Sequence, residues 1–117
     1  MKKKNNPALI PISETIISRA KKDPAYRKGM LTRGLAYLMA AKNNEDLHIG
    51  RSLIRDYINA TIGFPALAKR TKLSKQSLMR MFGTNGNPTL ANLSAVIHVL
   101  LAKEGVKDAD HLNIALR

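Results

Sequence analysis

Cysteine is absent from this chain, so neither a disulfide framework nor a thiolate metal site can form. Aromatic residues are scarce, at 4% of the composition against 44% apolar residues in all. Leu, Ile, Ala and Met therefore have to fill the core. That suits short packed helices better than a sandwich, whose strands favour Val, Thr, Tyr and Phe. No apolar run approaches the roughly 18 residues of a membrane span. The opening MKKKNNPALIPISET has a basic head. Pro, Ser and Glu interrupt its apolar part before it reaches the roughly 7–15 residues of a secretory h-region. A cytoplasmic protein is the expectation. Acids are few as well, eight against 20 Lys and Arg, and none lies between Asp56 and Glu104.

At 117 residues the chain is long enough for one domain with one core. Its net charge of +12 has two readings. One is solubility by self-repulsion. The other is a polyanionic partner, because clustered Lys and Arg release counterions from phosphates. The distribution favours the second: Lys69, Arg70, Lys72, Lys75, Arg80 and Lys103 all fall in the acid-free window.

Taken in order, residues 1–12 form a Lys-, Asn- and Pro-rich tail ahead of a single helical domain over 13–117. Lys2, Lys3 and Lys4 are either a solvated terminus or an arm that touches phosphates. Ser13 is placed to cap a short helix with Ile16, Ile17 and Ala20 on one face. Asp23-Pro24 opens a second helix to about Lys42, with the stripe Met30, Leu31, Gly34, Leu35, Leu38 and Met39. Asn44 is placed to cap a third, whose stripe is Leu53, Ile54, Tyr57, Ile58 and Ile62, and Gly63 ends it. Only Leu9 to Ile12 hints at a strand. The last long helix follows Thr89, with the stripe Leu90, Leu93, Val96, Ile97, Leu100 and Leu101, and stops at Gly105. One more turn is expected around Leu112, Ile114 and Leu116.

Between these lies Phe64 to Phe82, FPALAKRTKLSKQSLMRMF, with five cations and no acid. It reads as helix, turn, helix. Pro65 opens the first helix, with Leu67 and Ala68 facing inward and Ala68 permitting close approach of the second. Thr71-Lys72-Leu73 is the turn, where Lys72 stands at a position that favours a left-handed conformation. Ser74 caps the second helix, and Leu78, Met81 and Phe82 face the core. Such a unit places its second helix in the DNA major groove. Lys75 then donates to guanine acceptors and Gln76 pairs with adenine, while Ser77 and Arg80 complete the base-reading set. Lys69, Arg70, Thr71, Lys72 and Ser74 are assigned to phosphates, with Asn85 and Asn87 in the following loop. Met79 is either a core or dimer residue or a contact to a thymine methyl.

The run LAKRTKLSKQSLMRMFGTNGNPTLANLSAVIHVL resembles the C-terminal half of the addiction-module antidote (Hig-type antitoxin) family. The likeness rests on Leu67-Ala68, Thr71 to Ser74, Ser77-Leu78, the Gly86-Asn87-Pro88 loop and the helix from Thr89 to Leu101. Lys22-Asp23-Pro24 and the helix bearing Asp56 are also similar, so it covers roughly residues 20–105. Lys72 departs from the family's usual turn glycine. The helices read along the chain make an all-α, compact bundle of five or six short helices, and the resemblance implies a phage-repressor-like (Cro-type) helix-turn-helix domain of four or five. It also implies dimeric binding to a promoter, and often neutralisation of a toxin encoded beside the protein.

The leading expectation is a sequence-specific, dimeric DNA-binding repressor and antitoxin. Leu101, Val106, Leu112 and Leu116 are candidates for the dimer surface. The alternative is an interaction protein whose main task is to block a toxin, with DNA binding secondary. An enzyme is not expected, nor any cofactor or metal. His48, His98 and His111 lack ligand spacing, the acids form no catalytic pair, and Gly83 to Gly86 is no phosphate loop. RNA is a further polyanion, but the chain has too few aromatics for a stacking platform.

Overall fold

The computed structural model describes residues 12–105, and they are all helical with no strand among them. The elements are α1 (Ile12–Lys22), α2 (Pro24–Met39), α3 (Asn44–Ala60), α4 (Phe64–Thr71), α5 (Lys75–Met81) and α6 (Leu90–Lys103). The basic arm at Lys2 to Lys4, the strand residues before Ile12, and the turn at Leu112 to Leu116 lie outside the described residues, as do Val106 and His111. Ile12 itself begins α1, so Ser13 falls within the first turn rather than ahead of it.

Local side-chain chemistry places most helix starts. The Asp23 carboxylate accepts from the Tyr26 N–H at 3.1 Å, ahead of Pro24. Ser74 accepts from the Ser77 N–H, and Thr89 from the Asn92 N–H. Each satisfies an amide that the helix itself leaves unpaired. Helix α3 ends at Ala60, short of Ile62 and Gly63, and two boundaries at the α2–α3 junction also differ from expectation. Helix α2 ends at Met39 rather than near Lys42, and the cap of α3 is Asn43 rather than Asn44. Both differences have one cause. Asn43 accepts from the Asp46 N–H at 2.8 Å, and the Asp46 carboxylate accepts from the Lys42 N–H at 3.0 Å. The start of α3 thus claims residues that would otherwise extend α2.

Helices α2 and α3 form the most extensive pairing, which depends on two glycines. A Cβ at Gly34 would lie 2.7 Å from Ile54 Cδ1, and one at Gly50 would lie 2.8 Å from Leu38 Cγ and 3.1 Å from the Gly34 carbonyl oxygen. Their bare Cα atoms let the two backbones approach. Against this pair pack Ala20 of α1, Phe64 and Leu67 of α4, Leu78 and Met81 of α5 with Phe82 after it, and Val96, Val99 and Leu100 of α6. Two residues of the expected stripes are not in the core: Met39 is 69% exposed and Leu90 84%. Each sits at a helix end that overhangs the core.

The end of α6 is held by a polar clasp. The Glu104 carboxylate accepts from Arg27 Nε at 3.1 Å and from the Tyr57 hydroxyl, while Arg27 Nη1 donates to the Ala20 carbonyl at 2.9 Å. The Glu104 side chain is only 6% exposed. Burial raises the Tyr57 pKa, the hydrogen bond to Glu104 and that residue's charge raise it further, and Arg27 opposes the shift. The phenol is therefore a fixed donor at neutral pH. Nearby on α3, burial raises the Asp56 pKa against the lowering effect of Arg55. Among the described residues no helix is long and apolar enough to cross a membrane.

Candidate nucleic-acid interface

The turn between α4 and α5 is built without glycine. Lys72 occupies the left-handed region at φ 63° and ψ 21°, and it alone of the described non-glycine residues has positive φ. Its N–H donates to the Ala68 carbonyl at 2.8 Å. The Thr71 hydroxyl donates to the Leu67 carbonyl and accepts from the Leu73 N–H. That hydroxyl, assigned to phosphate from the sequence, therefore serves the turn. A left-handed lysine costs about 1 kcal/mol relative to glycine. Lys72→Gly should accordingly raise the stability by about 0.5 kcal/mol, after glycine's greater unfolded entropy is subtracted. A urea titration checks this, and a destabilised variant would contradict it.

With the turn so set, α5 presents its N-terminal half to solvent. Lys75, Gln76 and Arg80 are exposed, as are Lys69 and Arg70 in the last turn of α4, Lys72, and Ser74. Leu78 and Met81 anchor the opposite side in the core. Ser74 and Ser77 share one hydroxyl–hydroxyl hydrogen bond of 2.9 Å, which leaves one proton of the pair for an outside acceptor. Met79 is 50% exposed. That overturns its core reading and leaves it on the surface of α5. Among the described residues, no ion pair includes Lys69, Arg70, Lys72, Lys75 or Arg80.

The loop after α5 brings further residues to the same surface. Ser77, Arg80, Asn85, Asn87, Thr89 and Asn92 line a shallow groove of about 250 Å³. Four of these were assigned from the sequence. Thr89 and Asn92 were not, although the capping role expected of Thr89 already put both at the start of α6. On the loop's other side, Asn85 and Asn87 meet Asn44, Glu45 and His48 of α3 across a second cleft. Glu45 brings an acid to this second cleft, whereas among the described residues none lines the first groove.

Sequence reasoning missed what holds this loop. Arg51 is 9% exposed, and its guanidinium donates to the Thr84 carbonyl at 2.7 Å and the Gly86 carbonyl at 3.1 Å. Arg55 donates to the Phe82 carbonyl at 3.1 Å and to the Ser52 hydroxyl. These cations act inside the fold. Nothing in periodicity points to partners 27 to 35 positions away.

Among the described residues no group of His, Asp and Glu side chains is placed to hold a metal ion. The arrangement offers exposed cations, amides and a hydroxyl on a convex helix, flanked by a polar groove. It is suited to contacting a polyanion. Comparison with family models, with curated proteins and with solved structures finds no match for this chain.

Proposed function

We propose that the chain is a cytoplasmic, sequence-specific regulator that binds double-stranded DNA as a dimer and represses the operon in which it acts as antitoxin. One observation carries the DNA reading. Helix α5 is anchored by Leu78 and Met81, while Lys75, Gln76 and Arg80 are exposed on its outer side beside the Asn85–Asn87 groove. Lys75 and Gln76 stand at the helix N-terminal end, the part that reaches base edges when such a helix enters the major groove. A second copy is supported by an apolar groove between α2 and α6. Leu35, Leu38, Met39, Leu90, Leu93 and Ile97 line it, and among the described residues none of its lining is Lys, Arg, Asp or Glu. Two copies that each carry +12 repel least across such a face. Support for the antitoxin role comes from the resemblance in the turn and the Gly86-Asn87-Pro88 loop.

Fluorescence anisotropy with the DNA upstream of its own gene, against a scrambled duplex, tests the reading. A preference of roughly a thousandfold is expected, with a footprint of two half-sites about one helical turn apart. Gln76→Ala should relax discrimination at one base pair by about 1–3 kcal/mol. Lys69→Ala should weaken both duplexes alike and lessen the salt slope by about one. If Gln76→Ala discriminated as the wild type does, α5 would not be the reading helix. Equal binding to both duplexes, with a stoichiometric toxin recovered on purification, would make toxin capture the main task instead.

A further inference from the structure

The loop from Gly83 to Pro88 is held from two sides. On one side its backbone lies directly over the end of α5: a Cβ on Gly86 would fall 2.1 Å from the Met81 carbonyl oxygen and 2.5 Å from that of Arg80. On the other side stands α3, where Arg51 grips the Thr84 and Gly86 carbonyls and Arg55 grips the carbonyl of Phe82, which caps α5. Between these anchors the loop turns Asn85 and Asn87 outward, into the groove shared with Ser77 and Arg80. Arg51 is itself nine-tenths buried. Two of its nitrogens are engaged by the loop, and its Nε is enclosed without a partner among the described residues. Its charge is thus directed at carbonyl dipoles, and only an edge of the side chain reaches the cleft between the loop and α3.

We infer that Arg51 is a positioning residue for the polyanion contact: it sets the path of the loop so that Asn85 and Asn87 meet phosphate beside the contacts of Ser77 and Arg80, and it does not touch the nucleic acid. This rests on the DNA-binding reading above. It has a consequence that distinguishes Arg51 from the surface cations. Losing a cation that contacts phosphate flattens the dependence of affinity on salt by about one unit. Losing a cation that only places neutral amides lowers affinity and leaves that slope alone. Lysine, moreover, carries the same charge but has no planar fork to hold two carbonyls at once. A direct contact would therefore be largely rescued by lysine, whereas a positioning role would not.

The test uses the full chain and a scrambled duplex, titrated by anisotropy across a salt series after helical circular dichroism has verified folding. Arg51→Met and Arg51→Lys should each lose about tenfold in affinity with the salt slope unchanged. The double variant Asn85→Ala, Asn87→Ala should lose a similar amount. Adding Arg51→Met to it should cost little more, because both changes remove the same contact. If Arg51→Met does not fold, Arg51→Lys carries the comparison. A slope lowered by about one in Arg51→Met, with recovery in Arg51→Lys, would overturn the inference. Undiminished affinity in a folded Arg51 variant would do the same. Failure of the wild type to bind any duplex would overturn the DNA-binding reading, and this inference with it.

Discussion

Gly86→Ala lowers the stability by about 3 kcal/mol, because the added methyl group has nowhere to go. Its position would be 2.1 Å from the Met81 carbonyl oxygen and 2.5 Å from that of Arg80. Both are backbone atoms at the end of α5, so no side-chain rotation relieves the overlap. Either the loop lifts off α5 and takes Thr84 and Gly86 away from Arg51, or α5 loses its last turn. The melting temperature should fall by roughly 10–20 °C, read by circular dichroism. Gly83→Ala is the control in the same loop. Its Cβ would meet the Met79 carbonyl oxygen at 3.4 Å, an ordinary contact, and the change should stay within about 0.5 kcal/mol. Equal melting temperatures for the two variants would refute the packing account.

The second large effect is expected at the C-terminal end of α6. Glu104→Ala should cost about 3 kcal/mol, since it leaves the hydroxyl of the fully buried Tyr57 without an acceptor and Arg27 without its carboxylate. The figure sits at the low end for a broken buried pair because Arg27 is 20% exposed and keeps the Ala20 carbonyl. Glu104→Gln retains an oxygen acceptor for Tyr57 and should cost clearly less. Urea denaturation of both variants checks this. A Glu104→Ala loss below about 0.5 kcal/mol would mean that the clasp is no more than a surface ion pair.

What could be read from the sequence was local. Asp23, Ser74 and Thr89 act as caps because a short polar side chain reaches the amide three residues on, and that rule needs no tertiary context. The left-handed Lys72 follows equally from the turn. At Asn43-Asn44 either residue can cap, and only the placement of Asp46 decides between them. Ala40, Ala41 and Lys42 are good helix formers, so nothing in them announces the early end of α2. The apolar stripes located the core but not its edges, where Met39 and Leu90 overhang. Least legible were Arg51, Arg55 and Glu104. Each looks like a solvated charge until the fold brings carbonyls, a phenol or a guanidinium to it. For the candidate interface, the sequence picked out the exposed residues of α5, but not the arginines on α3 that hold the loop beside it.

The separation along the chain between Arg27 and Glu104 is 77 residues, whereas Gly34 and Gly50 meet within one helical hairpin. Closing the longer loop has the greater entropic cost, and contacts near in sequence form first. The α2–α3 hairpin is then expected to form early and the clasp after the barrier, so that Glu104→Ala should speed unfolding far more than it slows folding in stopped-flow measurements. A contact absent from the transition state leaves the folding rate nearly alone and governs how fast the native state comes apart. Glu104 therefore acts as a latch on the lifetime of the folded chain rather than as a guide to its formation.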